Sequence, residues 1–232
     1  KTGLSVNFAA NTSNTTSLRE DAMGDSGYSN VFSTCALMAP IYPIYAKDAN
    51  GKTVLDVNGD PKYDWGEDRA AGAAAGWNPL ANLKEDKYSR TADNVSGRSF
   101  VEIGGLKEGI LQGLKLSVNY GFDYIMSKRK TYYNPNFGNG KTTKGYLGIR
   151  DDRTLSYTFN QLLTWNRTFG LHNIDFLAGH ELYKYNKQRL SGGKTGFPFT
   201  GLYELDAATT LYDASSFTDN YVIESYLSRL NY

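Results

Sequence analysis

Between positions 114 and 126 the chain alternates without a break. Leu114, Leu116, Val118, Tyr120, Phe122, Tyr124 and Met126 make one apolar row, and Lys115, Ser117, Asn119, Gly121, Asp123 and Ile125 make the other. Successive side chains of a strand point to opposite faces, so this spacing predicts a strand with one oily and one mostly polar face. Seven alternate apolar positions outrun the ~5–6 residues of an ordinary soluble strand. They match the about 9–11 residues that a tilted strand needs to cross hydrocarbon. The pattern returns at 155–165, where Leu155, Tyr157, Phe159, Leu163 and Trp165 share a face. It returns again with Ile174, Phe176, Ala178, His180 and Leu182, and at 220–232 with Tyr226, Leu230 and Tyr232. Two weaker strands are expected at 4–10 and 95–103, giving about six in all.

The expected connections are unequal. Those at 104–113 and 166–173 are short, whereas 19–94 and 192–220 are long. Short turns alternating with long loops mark an outer-membrane barrel, with the long loops outside the cell. Asn50-Gly51 and Asn58-Gly59 predict small hairpins inside the first long loop. The polar run 90–99 and the Lys128-Arg129-Lys130 run read as solvated strand ends.

Composition sharpens this picture. There are 18 Tyr, 11 Phe and 24 Gly, suiting pleated strands and many turns, and the net charge of +1 gives no basic surface for nucleic acid. The mean hydropathy of −0.49 would ordinarily indicate a soluble protein. A barrel wall alternates lipid-facing and lumen-facing residues, so its average stays low even in a membrane. The most apolar stretch, 35–46, is broken by Pro40 and Pro43, which excludes a spanning helix. Cys35 is the single cysteine, so no internal disulfide can form.

Several blocks resemble the SusC/RagA-like TonB-dependent transporters: YYNPNFGNG at 132–140, the run 155–187, GFPFTGLYEL at 196–205, the run 40–67 and GWNPLA at 76–81. The resemblance implies an all-β chain, an antiparallel transmembrane β-barrel segment of about six strands from a 22-stranded barrel, with long extracellular loops. On this reading residues 1–232 are part of one barrel domain, and nothing in them resembles a plug domain or a TonB box. It also implies a bacterial outer-membrane location, a SusD-like surface lipoprotein as partner, and the TonB complex as driver through other parts of the parent chain. The cargo would be an oligosaccharide or a peptide. No cofactor is implied, and the segment would supply wall and loops rather than catalysis.

Tyr42, Tyr45, Tyr63, Trp65 and Trp77 are the candidate ligand contacts in the first long loop, because sugar rings stack on aromatic faces and loops carry specificity on rigid scaffolds. Packing within the loop, or against the lid protein, is the plainer use of the same side chains. Tyr132, Tyr133, Tyr183 and Tyr185, near strand ends, are expected in an interfacial girdle, with lumen-side stacking as the alternative. Asp56, Asn58, Asp60, Asp64 and Glu67 fall at positions 1, 3, 5, 9 and 12 of a calcium-binding loop. Pro61 occupies the position that wants glycine, so an acidic hairpin explains the letters better. Three Gly-Lys-Thr tripeptides lack the upstream glycine of a phosphate-binding loop. His172 and His180 share one strand parity about 26 Å apart, at ~3.3 Å per residue, and cannot form a pair. The competing fold is a secreted, soluble β-sandwich that binds glycans.

Overall fold

A computed structural model describes residues 1–15, 31–69, 75–105 and 108–232. Six strands form one antiparallel sheet in sequence order: β1 (Thr2–Thr15), β2 (Lys87–Gly104), β3 (Leu114–Tyr133), β4 (Tyr146–Phe169), β5 (His172–Thr195) and β6 (Thr210–Asn231). Among the described residues no second sheet packs against it, so the β-sandwich expectation is not realised. At ~3.3 Å per residue the 24 residues of β4 extend roughly 80 Å, far beyond a soluble strand.

Register decides which side chains share a face, because directly opposed residues project the same way. Leu116 lies opposite Ile103 and Leu163, Tyr120 opposite Ser99 and Phe159, and Tyr124 opposite Val95 and Leu155. Leu4, Val6 and Phe8 of β1 continue the row through Ser99, Gly97 and Val95. Phe176 and Leu230 extend it across β5 and β6 from Trp165. The oily rows therefore align into one belt. Its members stay open on their outer side, with Leu4 at 79% and Leu230 at 68% exposure. The opposite face carries Arg98, Asn119, Asp123, Thr158, Asn160 and Glu181.

The belt is purest on β3 and β4. On β5 and β6 it includes His180 and Glu224, whose side chains pair at 3.0 Å, with the Tyr226 hydroxyl donating to the same carboxylate at 2.7 Å. His172 instead faces the Tyr232 hydroxyl near the turn.

Both ends of the sheet follow from local chemistry. At one end β4 and β5 join through Gly170 and Leu171 alone, with Gly170 at φ 62° as the first residue of a type II′ hairpin turn. Gly113, at φ 78°, closes the β2–β3 connection, and a Cβ there would meet the Asn166 carbonyl oxygen at 1.8 Å, so only glycine fits. At the other end stand the three longer connections, 16–86, 134–145 and 196–209.

The strands outrun the expected limits. The long connections end at 86 and begin at 196, not at the expected 94 and 192, and the second closes at 209, not 220. Residues 87–94 and 210–220 are polar, so periodicity hid them. They are strand because Lys87–Asn94 pair with β3 from Tyr132 to Ile125, and Thr210–Asn220 pair with β5. The polar run 90–99 lies wholly inside β2. The expected opening of the first loop, at Arg19, lies outside the described residues.

The tyrosines fall differently from a girdle. Tyr183 and Tyr185 lie opposite Thr158 and Ser156 on the polar face, where Tyr185 stacks on Tyr221 at 4.8 Å. Tyr132 is buried with Leu147, Phe197 and Ala208 in a small core beneath the 196–209 connection. Tyr133 stacks on Tyr146 at 5.8 Å. Stacking on the polar face, the alternative, describes Tyr133, Tyr183 and Tyr185, whereas the burial of Tyr132 beneath a loop fits neither expectation.

Candidate ligand-contact surface

The first long connection builds a small unit at the wider end of the sheet. Bridges between Tyr45 and Tyr63, Lys47 and Thr53, and Leu55 and Pro61 make a three-ribbon meander. Its two turns repeat one device. Asp48 Oδ1 accepts the Asn50 and Lys52 amides, and Asp56 Oδ1 accepts the Asn58 and Asp60 amides at 2.8 and 2.9 Å. The Asn-Gly dipeptides at 50–51 and 58–59 thus turn the chain as expected.

This geometry accounts for the calcium-like letters. Asp56 turns its carboxylate onto its own backbone. Asp64 accepts the Gly66 amide and pairs with Arg69 at 3.0 Å, and Glu67 pairs with Lys141 at 2.7 Å. Among the described residues no three metal-ligating side chains are gathered closely enough to hold an ion.

Helix α2 (Pro79–Glu85) anchors the unit through two buried polar residues that flank it. Asn78 precedes Pro79, a pairing suited to a helix start. Its Oδ1 accepts the Leu80 and Ala81 amides, while its Nδ2 donates to the Ile44 and Asp64 carbonyls at 2.8 and 2.9 Å. Asp86 closes the helix, 1% exposed. Its Oδ1 accepts the Asn134 amide at 2.9 Å, and its Oδ2 takes longer contacts of 3.5 Å from Asn82 and Asn139. Burial pushes the Asp86 carboxyl up to about 7, and the amide donors pull against that rise. The helix α1 (Val31–Leu37) packs beside α2 and carries exposed Cys35.

The five aromatic candidates do not form one site. Tyr45, Tyr63 and Trp65 line a single cleft of about 480 Å³, together with Lys84, Phe137 and Asn136. Tyr45 stacks on Tyr63 at 5.5 Å. Trp65, 7% exposed, lies flat against Phe137 at 4.5 Å and serves as the cleft's floor. Lys84 reaches over the Tyr63 ring, and a hydrogen bond with that tyrosine holds its ammonium above the usual lysine range. Tyr42 stands apart under the Arg69 guanidinium at 4.3 Å, and Trp77 is half-buried outside the cleft. Sequence reasoning missed Lys84, Phe137, Asn78 and Asp86. The Asn-Pro helix start was readable, whereas Phe137 arrives from a connection more than seventy residues from Trp65.

On the polar face of the sheet a broader groove of about 650 Å³ runs over Arg98, Phe100, Asn119, Asp123, Thr158 and Asn160. Asn119 donates to Asn160 across its middle. The two surfaces together offer a polar wall and an aromatic cleft at its loop end.

No family model and no curated protein matches the chain. Solved structures do. The RagAB peptide importer in its closed-closed state superposes with a TM-score of 0.66 at 19% identity, covering 99% of this chain and 24% of that one. The open-open state gives 0.65 at 20%, again over 99% and 24%. A further structure of the RagAB peptide transporter gives 0.66 at 19%, with the same coverage. The chain spans about a quarter of the length of the chains it matches. What it shares with them is a fold, six antiparallel strands laid in sequence order in one sheet.

Proposed function

We propose that the chain is part of the wall and outer loops of a TonB-dependent outer-membrane importer for oligosaccharides or peptides. One observation carries this reading. Six very long strands align their oily rows into a continuous belt on one face, and their polar rows on the other. A bilayer covers such a belt without a second protein layer. The polar extensions above the belt and the three longer connections then lie outside the cell, and the short turns face the periplasm. The likeness to RagAB supports import as the role, with a SusD-like lipoprotein as the lid over the loop end. In the parent protein, the cleft of Tyr45, Tyr63 and Lys84 contacts cargo. The role is transport, not catalysis.

Orientation tests the reading directly in the full-length protein on intact cells. A membrane-impermeant maleimide should modify Cys35 at once, and a cysteine placed at Leu171 only after the outer membrane is breached. Immediate labelling at Leu171 with protection at Cys35 would overturn it. Deleting the parent gene should abolish growth on the imported nutrient, and uptake should stop when TonB is removed.

A further inference from the structure

On β5 the outward row changes character in a single step. Phe176, Ala178, His180 and Leu182 belong to the oily belt, and Lys184, Asn186 and Gln188 continue the same row above it. Register places Lys184 directly opposite Tyr157 of β4 and Val222 of β6, and Asn186 opposite Leu155 and Asn220. An open pocket of about 450 Å³ lies here, lined by Leu155, Tyr157, Lys184, Asn186 and Asn220. Both strands that flank Lys184 are in place, so the pocket belongs to the sheet face and not to its edge.

Its lining is divided by chemistry. Leu155 and Tyr157 close the oily belt on β4, and tyrosine suits the level where hydrocarbon gives way to headgroups. Asn186 donates to Asn220 Oδ1, which leaves Asn220 Nδ2 and the Lys184 ammonium as donors of the lining. Among the described residues Lys184 has no ion pair. The carboxylates on this face are engaged or remote. Glu224 is held by His180 and Tyr226, Glu204 pairs with Lys130, and Asp151 stands directly opposite Lys128. Asp93 lies on β2, with β3 between it and β4. None of them lines the pocket. Arg153, on the same face but outside the pocket, lies over the Tyr124 ring at 5.5 Å. A lysine so placed lays its stem along the apolar surface and keeps its head in the polar layer, where an ammonium binds phosphate as a point charge.

We propose that Leu155, Tyr157, Lys184, Asn186 and Asn220 form a binding site for the phosphorylated headgroup of an outer-leaflet lipid. Leu155 and Tyr157 cover the first carbons of its acyl chains, and Lys184 and Asn220 donate to the phosphate oxygens. The site rests on the importer reading above, which turns this face to the bilayer and its upper edge to the outer leaflet. The half-apolar lining selects a lipid over a free ion, because inorganic phosphate gains nothing from Leu155 and Tyr157.

Equilibrium binding of lipid A to the full-length protein in a non-ionic detergent tests this, with enzymatically dephosphorylated lipid A and inorganic phosphate as the other arms. The wild type should bind lipid A about tenfold more tightly than the dephosphorylated form, and inorganic phosphate should not displace it. Lys184→Gln should abolish most of that preference, the loss of one charge-assisted bond, with no change in melting temperature because the side chain is exposed. Arg153→Gln removes a cation from the same face and should leave the preference intact. An equal loss in Arg153→Gln, or none in Lys184→Gln, overturns the proposal, since the headgroup is then held by diffuse surface charge or elsewhere. Displacement by inorganic phosphate overturns it too, because the occupant is then a free ion. Equal binding of both lipids overturns the proposal but leaves the belt facing lipid. If neither lipid bound, in detergent or in vesicles, the importer reading would fall with it.

Discussion

Asn119 donates a 2.6 Å hydrogen bond to Asn160 across β3 and β4, while their next neighbours, Tyr120 and Phe159, face each other on the opposite side of the same sheet. A single residue step separates a polar pair from an aromatic pair. In the proposed importer such a wall has water on one side and lipid on the other, and a one-residue slip would exchange the two faces completely.

That division makes a substitution test. Phe159→Arg places a charge in the belt and should lower folding stability in a bilayer by about 2–4 kcal/mol. Thr158→Arg, on the polar face opposite Gly121, should stay within about 0.5 kcal/mol of the wild type. Denaturant titration of the full-length protein in lipid vesicles measures both. Equal losses would mean that the belt does not face lipid.

Asp86 gives a pH dependence whose sign is fixed. Its folded-state value of about 7 lies above the ordinary 3.8, so between those values the folded chain holds a proton that the unfolded chain has released. Stability then falls as pH rises through that window, by a few kcal/mol at most for a rise of this order. The full contribution is present below about pH 4 and lost above about 7. Protection factors of the α2 amides, with the base-catalysed rise in intrinsic exchange divided out, should therefore be higher at pH 5 than at pH 8. Glu85, which raises the Asp86 carboxyl a little further, and Tyr132, which feels both carboxylates, are retained in Asp86→Asn, which should abolish the difference. A slope surviving in Asp86→Asn would assign it to another group.

Much of this was readable before any coordinates. The rows on β3 and β4 are clear, because most of each strand's apolar residues keep one parity, with Ile125 and Leu162 among the exceptions. On β5 both parities carry apolar side chains, with Phe176 and Leu182 on one and Leu177, Tyr183 and Tyr185 on the other. Only pairing through β4 to β3 settles which faces outward, and so the tyrosines were misplaced. The polar strand extensions escaped for a related reason. Ser215 is strand because Ser191 lies opposite it, not because of its own propensity. In the cleft, the aromatic candidates were visible as types. Their division into floor, wall and bystander depends on Phe137 and Lys84, which no local spacing reveals.

Asn78 joins a helix start to two carbonyls of the meander, so Asn78→Ala removes a cap and leaves the Ile44 and Asp64 oxygens buried without that donor. The combined loss should be roughly 2–4 kcal/mol, confined to the outer unit. Limited proteolysis of the full-length protein should then cut between residues 40 and 86 many times faster, while the barrel keeps its resistance to unfolding in detergent. Unchanged cleavage would show that the meander is held by something other than this side chain.

Trp65 and Tyr63 line the same cleft but should fail differently. Trp65 is the buried partner of Phe137, and its removal opens a cavity under the meander, which costs about 3–5 kcal/mol in well-packed sites. Trp65→Ala should therefore destabilise the outer unit and weaken cargo binding together. Tyr63 is half-buried, presenting its ring between Tyr45 and the Lys84 ammonium. Tyr63→Phe should preserve the stack and the fold while releasing Lys84 from its hydrogen bond, and Tyr63→Ala should reduce cargo affinity severalfold with little loss of stability. Paired melting curves and binding isotherms on the intact protein separate these outcomes. If Tyr63→Ala bound cargo as tightly as the wild type, the cleft would be packing alone, and the ligand-contact role would pass to the polar wall beneath it.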